Sequence, residues 1–282
     1  MPHVLTENDL AFWRENGYVI VPNAVPRANV DALVDVIWDF MDMDRDDRDS
    51  WYSAPQGEFG MVELSRSGMV ELYQHQALWD NRQHPRVYGA FVDIWQTEKL
   101  WVTIDRVNLN PPARPDWDFQ GFVHWDIDTS LRPLPVGVQG VLALVDVRAG
   151  EGGLQVVPGF HRAFDDWVKM QPADRDPWKP DISGFELVGV EMRAGDLAIW
   201  NSMLPHGTSR NTSDKPRLAQ YISMFPAPDD EALRQERVTS WRERRPRTGP
   251  AFPGDPRRWE IEHGVTAKLT PLGERLLGLK DW

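Results

Sequence analysis

The chain has 282 residues and no cysteine, and 43 acidic against 31 basic side chains leave it a formal charge of −12. That length can bury a sizeable core in one domain, the missing cysteines exclude a disulfide framework and a thiolate metal site, and the acidity argues against sequence-independent binding to nucleic acid, which needs clustered Lys and Arg. No basic region followed by an apolar stretch opens the sequence, and no apolar run approaches the length that spans a bilayer, so a cytoplasmic protein without nucleic-acid or membrane partners is expected.

In chain order, Thr6 can cap a helix running to about Glu15, with Asp9 in the capping-box position and Gly17 ending it. Tyr18 to Val21 reads as a strand. Pro26 starts a second helix whose apolar stripe is Val30, Leu33, Val34, Ile37 and Phe40. Residues 42–60 are acidic and turn-rich, a surface loop, and a helical stretch follows around Gln76 to Trp95. Trp101 to Asn110 alternates as a β-strand does. After the proline-rich bend of 111–120, Phe122-Val123 leads into His124 and Asp126. Residues 170–184 read as an insertion loop, and Leu187–Met192 and Leu197–Trp200 as strands. Asn211 to Pro216 is dense in turn formers, as a hairpin connection to a strand over Arg217–Phe225 should be. Past Pro226 the pattern dissolves into Pro/Arg-rich sequence until a short helix over Pro271–Leu277, with Gly278 just beyond. No linker or repeat divides the chain. It reads as one domain over 1–282: N-terminal helices at about 6–95, a β core at about 99–226, and a loop-rich segment or lid at about 227–282.

In a strand, residues i and i+2 share a face, so His124 and Asp126 can reach one ion, and His206 supplies a second imidazole. Two imidazoles and one carboxylate on one face of an octahedral ion leave three positions open, which is what a non-haem Fe(II) oxygenase needs. Arg217 offers a bidentate clamp for a carboxylate beside the metal, which points to 2-oxoglutarate. Placing His206 and Arg217 on neighbouring antiparallel strands would bring them together. Asn108 or Asn110, on the preceding strand, can add an amide contact to the 2-oxo acid. His-x-Asp alone arises easily by chance. A cupin-type metalloenzyme that does not use 2-oxoglutarate is the alternative, and it would not need Arg217. A non-catalytic module on the same fold would ordinarily have lost one of the three ligands.

Gly152-Gly-Leu-Gln-Val-Val-Pro-Gly-Phe-His161 resembles the G-x-L-x-x-x-P-G-S-H segment of the phytanoyl-CoA dioxygenase family, with Phe160 where serine is usual. Val138-Gln-Gly-Val-Leu-Ala-Leu-Val-Asp146 is similar to that family's Q-x-x-x-A-L-x-D strand, and Leu5 to Val21 to its opening helix and strand. The resemblance runs from about residue 5 to about residue 226. It implies a mainly β fold, a double-stranded β-helix (jelly-roll, cupin-like) core with flanking helices, using Fe(II), 2-oxoglutarate and O₂. His124, Asp126 and His206 would be both metal ligands and catalytic centre, with Arg217 and Thr208 on the far carboxylate of 2-oxoglutarate. Halogenating relatives lack the carboxylate ligand, so Asp126 makes hydroxylation of an unactivated C–H the expected outcome, giving succinate and CO₂; desaturation, epoxidation or ring closure are the variants. With no phosphate cradle or long basic groove for a CoA tail, the expected substrate is a small molecule, a secondary metabolite or amino-acid-like compound.

Other conspicuous residues read as structural. Trp125 points away from the ligands and should pack, and His161 should tie down a turn. Arg242, Arg244, Arg245, Arg247, Arg257 and Arg258 read as a solvated loop, with a lid over an anionic substrate as the alternative.

Overall fold

The computed structural model describes residues 4–52 and 68–282; the last part of the predicted 42–60 loop lies outside the described residues. Helix α1 spans Glu7–Asn16 with both bonds of the capping box in place, Asp9 N–H to Thr6 Oγ1 and Thr6 N–H to the Asp9 carboxylate. Gly17 ends it at φ 77°, a left-handed conformation that glycine adopts without steric cost. Strand β1 is Tyr18–Val21, and α2 is Arg27–Met41, burying Val30, Leu33, Ile37 and Phe40 as its stripe requires. The expected 76–95 helix is two helices, α3 (Gln76–Arg82) and α4 (Pro85–Trp95). Pro85 has no N–H to continue the ladder, and His84 caps the new start instead.

The remaining strands are β2 (Met69–Val70), β3 (Leu100–Val102), β4 (Val107–Asn110), β5 (Val138–Ala143), β6 (Leu154–Val156), β7 (Val188–Gly189), β8 (Leu197–Asn201), β9 (His206–Thr208), β10 (Arg217–Tyr221) and β11 (Met224–Pro226). The helices that follow are α5 (Phe160–Lys169), α6 (Glu231–Glu243), α7 (Trp259–His263) and α8 (Pro271–Leu277). Six strands form one antiparallel sheet in the order β1-β8-β5-β10-β4-β2; β7-β6-β9 form a second, and β11-β3 a short ribbon. The fold is antiparallel sheets with flanking helices, and among the described residues more lie in helices than in strands.

Period-two alternation divides the large sheet into two faces. Leu142, Leu144, Leu197, Ile199 and Leu218 point outward into a core shared with the N- and C-terminal helices. Val141, Ala143, Ala198, Trp200 and Ala219 point inward toward β6 and α5. Three of those inward positions are alanine, and this small-residue floor leaves room between the sheets.

The C-terminal fifth is more ordered than its sequence suggests. Helix α6 carries no continuous apolar stripe: its buried residues are Arg237, Val238 and Ser240. Fully buried Arg237 donates to the carbonyls of Val102, Leu276 and Leu277, tying α6 to β3 and α8. No helix of the described residues is long and apolar enough to cross a membrane.

Candidate active site

A cavity of about 580 Å³ opens between the two sheets, within the range of small-molecule sites. The chain reaches it from β9, whose first residue, His206, exchanges two backbone hydrogen bonds with His124 at 2.9 and 3.1 Å. That bridge is isolated: His124 lies in no extended strand, and Asp126 follows in a bend. The predicted strand is therefore absent, but the pairing with β9 does its work. Gly207 permits the approach, because a Cβ there would collide with the Phe122 carbonyl.

Donor atoms of His124, Asp126 and His206 all lie within 4.8 Å of one another. Asp126 Oδ1 is 3.2 Å from His124 Nε2 and Oδ2 is 3.2 Å from His206 Nε2. His206 Nδ1 lies 2.9 Å from the Leu204 carbonyl, an acceptor only, so Nδ1 carries the proton. In the neutral ring, Nε2 then presents a lone pair to a carboxylate oxygen. Two acceptors at that separation need a cation or a proton between them, and the donor set suits a divalent first-row metal. Burial alone would raise the Asp126 carboxyl, but the two imidazoles beside it outweigh burial and hold it well below the usual carboxylate range. Gln139 donates to Asp126 Oδ2 at 2.6 Å.

Arg217 opens β10 and is only 3 % exposed. Nη1 donates to Asn108 Oδ1 at 2.6 Å, Nε has no partner, and no carboxylate among the described residues pairs with it. A buried guanidinium without a counter-charge is costly unless an anion completes it. Arg217 and His206 do not come from one hairpin. β9 pairs with β6, whereas β10 pairs with β4 and β5, so the 211–216 connection crosses from one sheet to the other. Both residues nonetheless line the same cavity.

Thr208 lines the cavity beside His206, two residues on along β9. Neither Asn108 nor Asn110 lines it. Asn108 holds Arg217, and Asn110 sits opposite Arg217 in the β4–β10 register with its amide nitrogen against Gly152. Trp125 is buried among Phe160, Phe164 and Trp167, as its alternation implied. His161 does tie down a turn: its ring covers Gly17, with Nε2 3.2 Å from the Arg14 carbonyl.

Sequence reasoning missed Gln139, although it stood inside the quoted Q-x-x-x-A-L-x-D segment. It also missed Asp105, Trp200, Tyr221 and Phe252, all of which line the cavity. Gln139 and Tyr221 could have been found from β-alternation, sharing the inward face with Val141 and Ala219. Phe252 comes from the supposedly patternless C-terminal segment. Most of the arginine cluster is tied down rather than free in solvent, while Arg242 and Arg258 stay exposed as a solvated segment would have them. Arg244 binds the carbonyls of Glu260 and Ile261, Arg257 pairs with Asp255 and reaches the Phe40 carbonyl, and Arg247, Arg245 and Arg258 pair with Glu236, Glu243 and Glu262. These contacts brace the segment that presents Ala251 and Phe252 to the cavity.

Fold and site together define a candidate metal-dependent enzyme with its ligand cluster inside a sheet-walled cavity. A profile of phytanoyl-CoA dioxygenases matches residues 13–219, and the chain belongs to that family. It is a non-haem dioxygenase that uses iron and 2-oxoglutarate. A Dictyostelium discoideum protein whose provisional name is phytanoyl-CoA dioxygenase is 25 % identical over 273 residues, covering 81 % of this chain and 78 % of its own. The Aspergillus versicolor protein named Ava biosynthesis cluster protein O is 26 % identical over 245 residues, covering 76 % and 77 %. Among solved structures, the epimerase SnoN of nogalamycin biosynthesis, in complex with Fe³⁺, α-ketoglutarate and a nogalamycin compound, superposes with a TM-score of 0.56. It is 20 % identical, covering 78 % of this chain and 83 % of that one.

Proposed function

We propose that the chain is a single catalytic unit on a jelly-roll core that hydroxylates an unactivated C–H of a small secondary metabolite or amino-acid-like compound. His124, Asp126 and His206 hold the iron, and Arg217, steadied by Asn108, takes the far carboxylate of 2-oxoglutarate. When bound, the iron with 2-oxoglutarate and O₂ supplies the oxidising power for the reaction, with succinate and CO₂ as co-products. The chain's own residues do the rest. Leu204 fixes the His206 tautomer, and Gln139 orients the Asp126 carboxylate. Thr208, two residues beyond His206 on β9, would donate its hydroxyl to the same far carboxylate. Phe122, Trp200 and Phe252 exclude water and offer an apolar surface to the substrate. The names of the Aspergillus and nogalamycin proteins support a natural-product substrate over an acyl-CoA.

The carrying observation is the unneutralised Arg217 in the same cavity as a carboxylate facing imidazole Nε2 atoms. The test is an anaerobic titration of the metal-free protein with Fe(II) and then 2-oxoglutarate, followed by visible absorption. A charge-transfer band needing both additions is expected, with 2-oxoglutarate affinity weakened roughly 30-fold or more in Arg217→Ala, the scale for truncating a buried charge pair. A folded, iron-binding protein that gives no band would instead favour a cupin-type enzyme without 2-oxoglutarate.

A further inference from the structure

Asp105 lies in the Thr103–Arg106 link between β3 and β4, and it faces the same cavity as the triad. Its side chain is about 30 % exposed, the exposed part opening on that cavity. One carboxylate oxygen accepts from the adjacent Arg106 N–H at 2.8 Å, and the other has no hydrogen-bond partner among the described residues. The neighbouring cations are engaged mainly by other groups. Arg106 Nη1 holds Glu71 at 2.7 Å and Nη2 holds the Ala251 carbonyl at 2.7 Å, leaving only Nε, at 3.7 Å, near Asp105. Fully buried Arg82 donates to the carbonyls of Tyr73 and Asp105, not to the Asp105 carboxylate.

The charge balance of the loaded site, on the reading above, makes this acid conspicuous. The two positive charges of Fe(II) and the one of Arg217 balance Asp126 and the 2-oxoglutarate dianion, and Arg106 balances Glu71. Among the described residues Asp105 is the remaining acid on the cavity wall, and its counter-charges are Arg106, 3.7 Å away and shared with Glu71, and the buried Arg82. Burial raises its carboxyl above the ordinary range, and the Asp126 charge adds to that. The cavity around it is aromatic: Phe122, Trp200, Tyr221 and Phe252. Aromatic faces and a desolvated carboxylate recognise the same group, a protonated nitrogen on an apolar body.

We propose that Asp105 is the specificity-determining residue of this site and that the substrate is a cationic amine carried on an aromatic or aliphatic frame. The inference rests on the iron and 2-oxoglutarate reading, so the experiment establishes that reading first. Wild-type protein and Asp105→Asn are loaded anaerobically with Fe(II) and 2-oxoglutarate, and the charge-transfer band is titrated. The variant keeps the oxygen that accepts from Arg106 N–H, so both proteins should give the band with the same 2-oxoglutarate affinity. Each is then titrated with paired probes, phenethylamine, tryptamine and cyclic secondary amines against their N-acetyl counterparts, following perturbation of the band. Amines should bind wild type about tenfold or more tightly than their acetamides, the scale of a partly desolvated charge pair, and Asp105→Asn should erase the difference. Acetamides binding as well as amines, no probe perturbing the wild-type band, or a preference that survives Asp105→Asn would each overturn the proposal while leaving the cofactor reading intact. A wild-type protein that forms no band at all overturns both.

Discussion

Replacing Gln139 by leucine tests how far the iron site depends on residues that do not touch the metal. Gln139 sits on the inward face of β5 and donates at 2.6 Å to Asp126 Oδ2, the oxygen that also faces His206 Nε2. A donor to an ionised carboxylate makes a charge-assisted bond, about twice as strong as a neutral one. Leucine is close in volume and cannot donate, so the substitution removes the bond without opening a large void. Asp126 is half-exposed toward the cavity and, among the described residues, has no polar side-chain partner but Gln139 and the two imidazoles, so its carboxylate would be free to rotate away from the shared centre. Loss of such an outer contact costs 10–100-fold in metal affinity, or about 1.4–2.7 kcal/mol. Anaerobic calorimetric titration of both metal-free proteins with Fe(II) measures this directly, with thermal unfolding of the apoproteins as the control for folding. An Fe(II) affinity within twofold of wild type, in a protein of unchanged stability, would refute the view that Gln139 fixes the ligand carboxylate.

Gly207→Ala should disrupt the backbone bridge between His124 and His206, since the new methyl meets the Phe122 carbonyl; metal binding that survives in a folded variant would contradict this. Arg237→Met leaves the carbonyls of Val102, Leu276 and Leu277 without their donor and should cost about 3 kcal/mol in urea unfolding, whereas a change under about 1 kcal/mol would mean the C-terminal helices are not braced there. Glu260, buried against the Tyr73 and Gln74 amides, has its carboxyl pushed up to about 7, chiefly by burial. A folded pKa above the unfolded value disfavours the ionised form, so this group's penalty is absent below about pH 4.5 and grows to roughly 3 kcal/mol above pH 7. The stability difference between wild type and Glu260→Gln should therefore shift against wild type as pH rises from about 5 to 8; a difference independent of pH would contradict it.

The parts legible in the sequence were those encoded locally. Thr6, Asp9 and Gly17 mark the ends of α1 through backbone bonds made within a few residues, and Thr270 to Gly278 mark α8 in the same way. His124, Asp126 and His206 were legible because few residue types bind iron, and the structure brings all three together. Pairing was not legible. Nothing between Thr208 and Arg217 states that the chain changes sheets there, because turn-rich composition serves a hairpin and a crossover equally. Helix α6 was missed because its buried face includes an arginine and a serine, whose hydrogen bonds replace the apolar stripe that pattern reading seeks. Asp105 was missed for a similar reason: one acid in a four-residue break between strands acquires meaning only when the triad stands across the cavity.

The most direct test of the account is a crystal structure of the protein grown anaerobically with Mn(II), which stands in for Fe(II) without reacting with O₂, and 2-oxoglutarate. The account predicts one metal ion bound by His124, His206 and Asp126, with the far carboxylate of 2-oxoglutarate on Arg217. A metal bound elsewhere, or 2-oxoglutarate held away from Arg217, would contradict it.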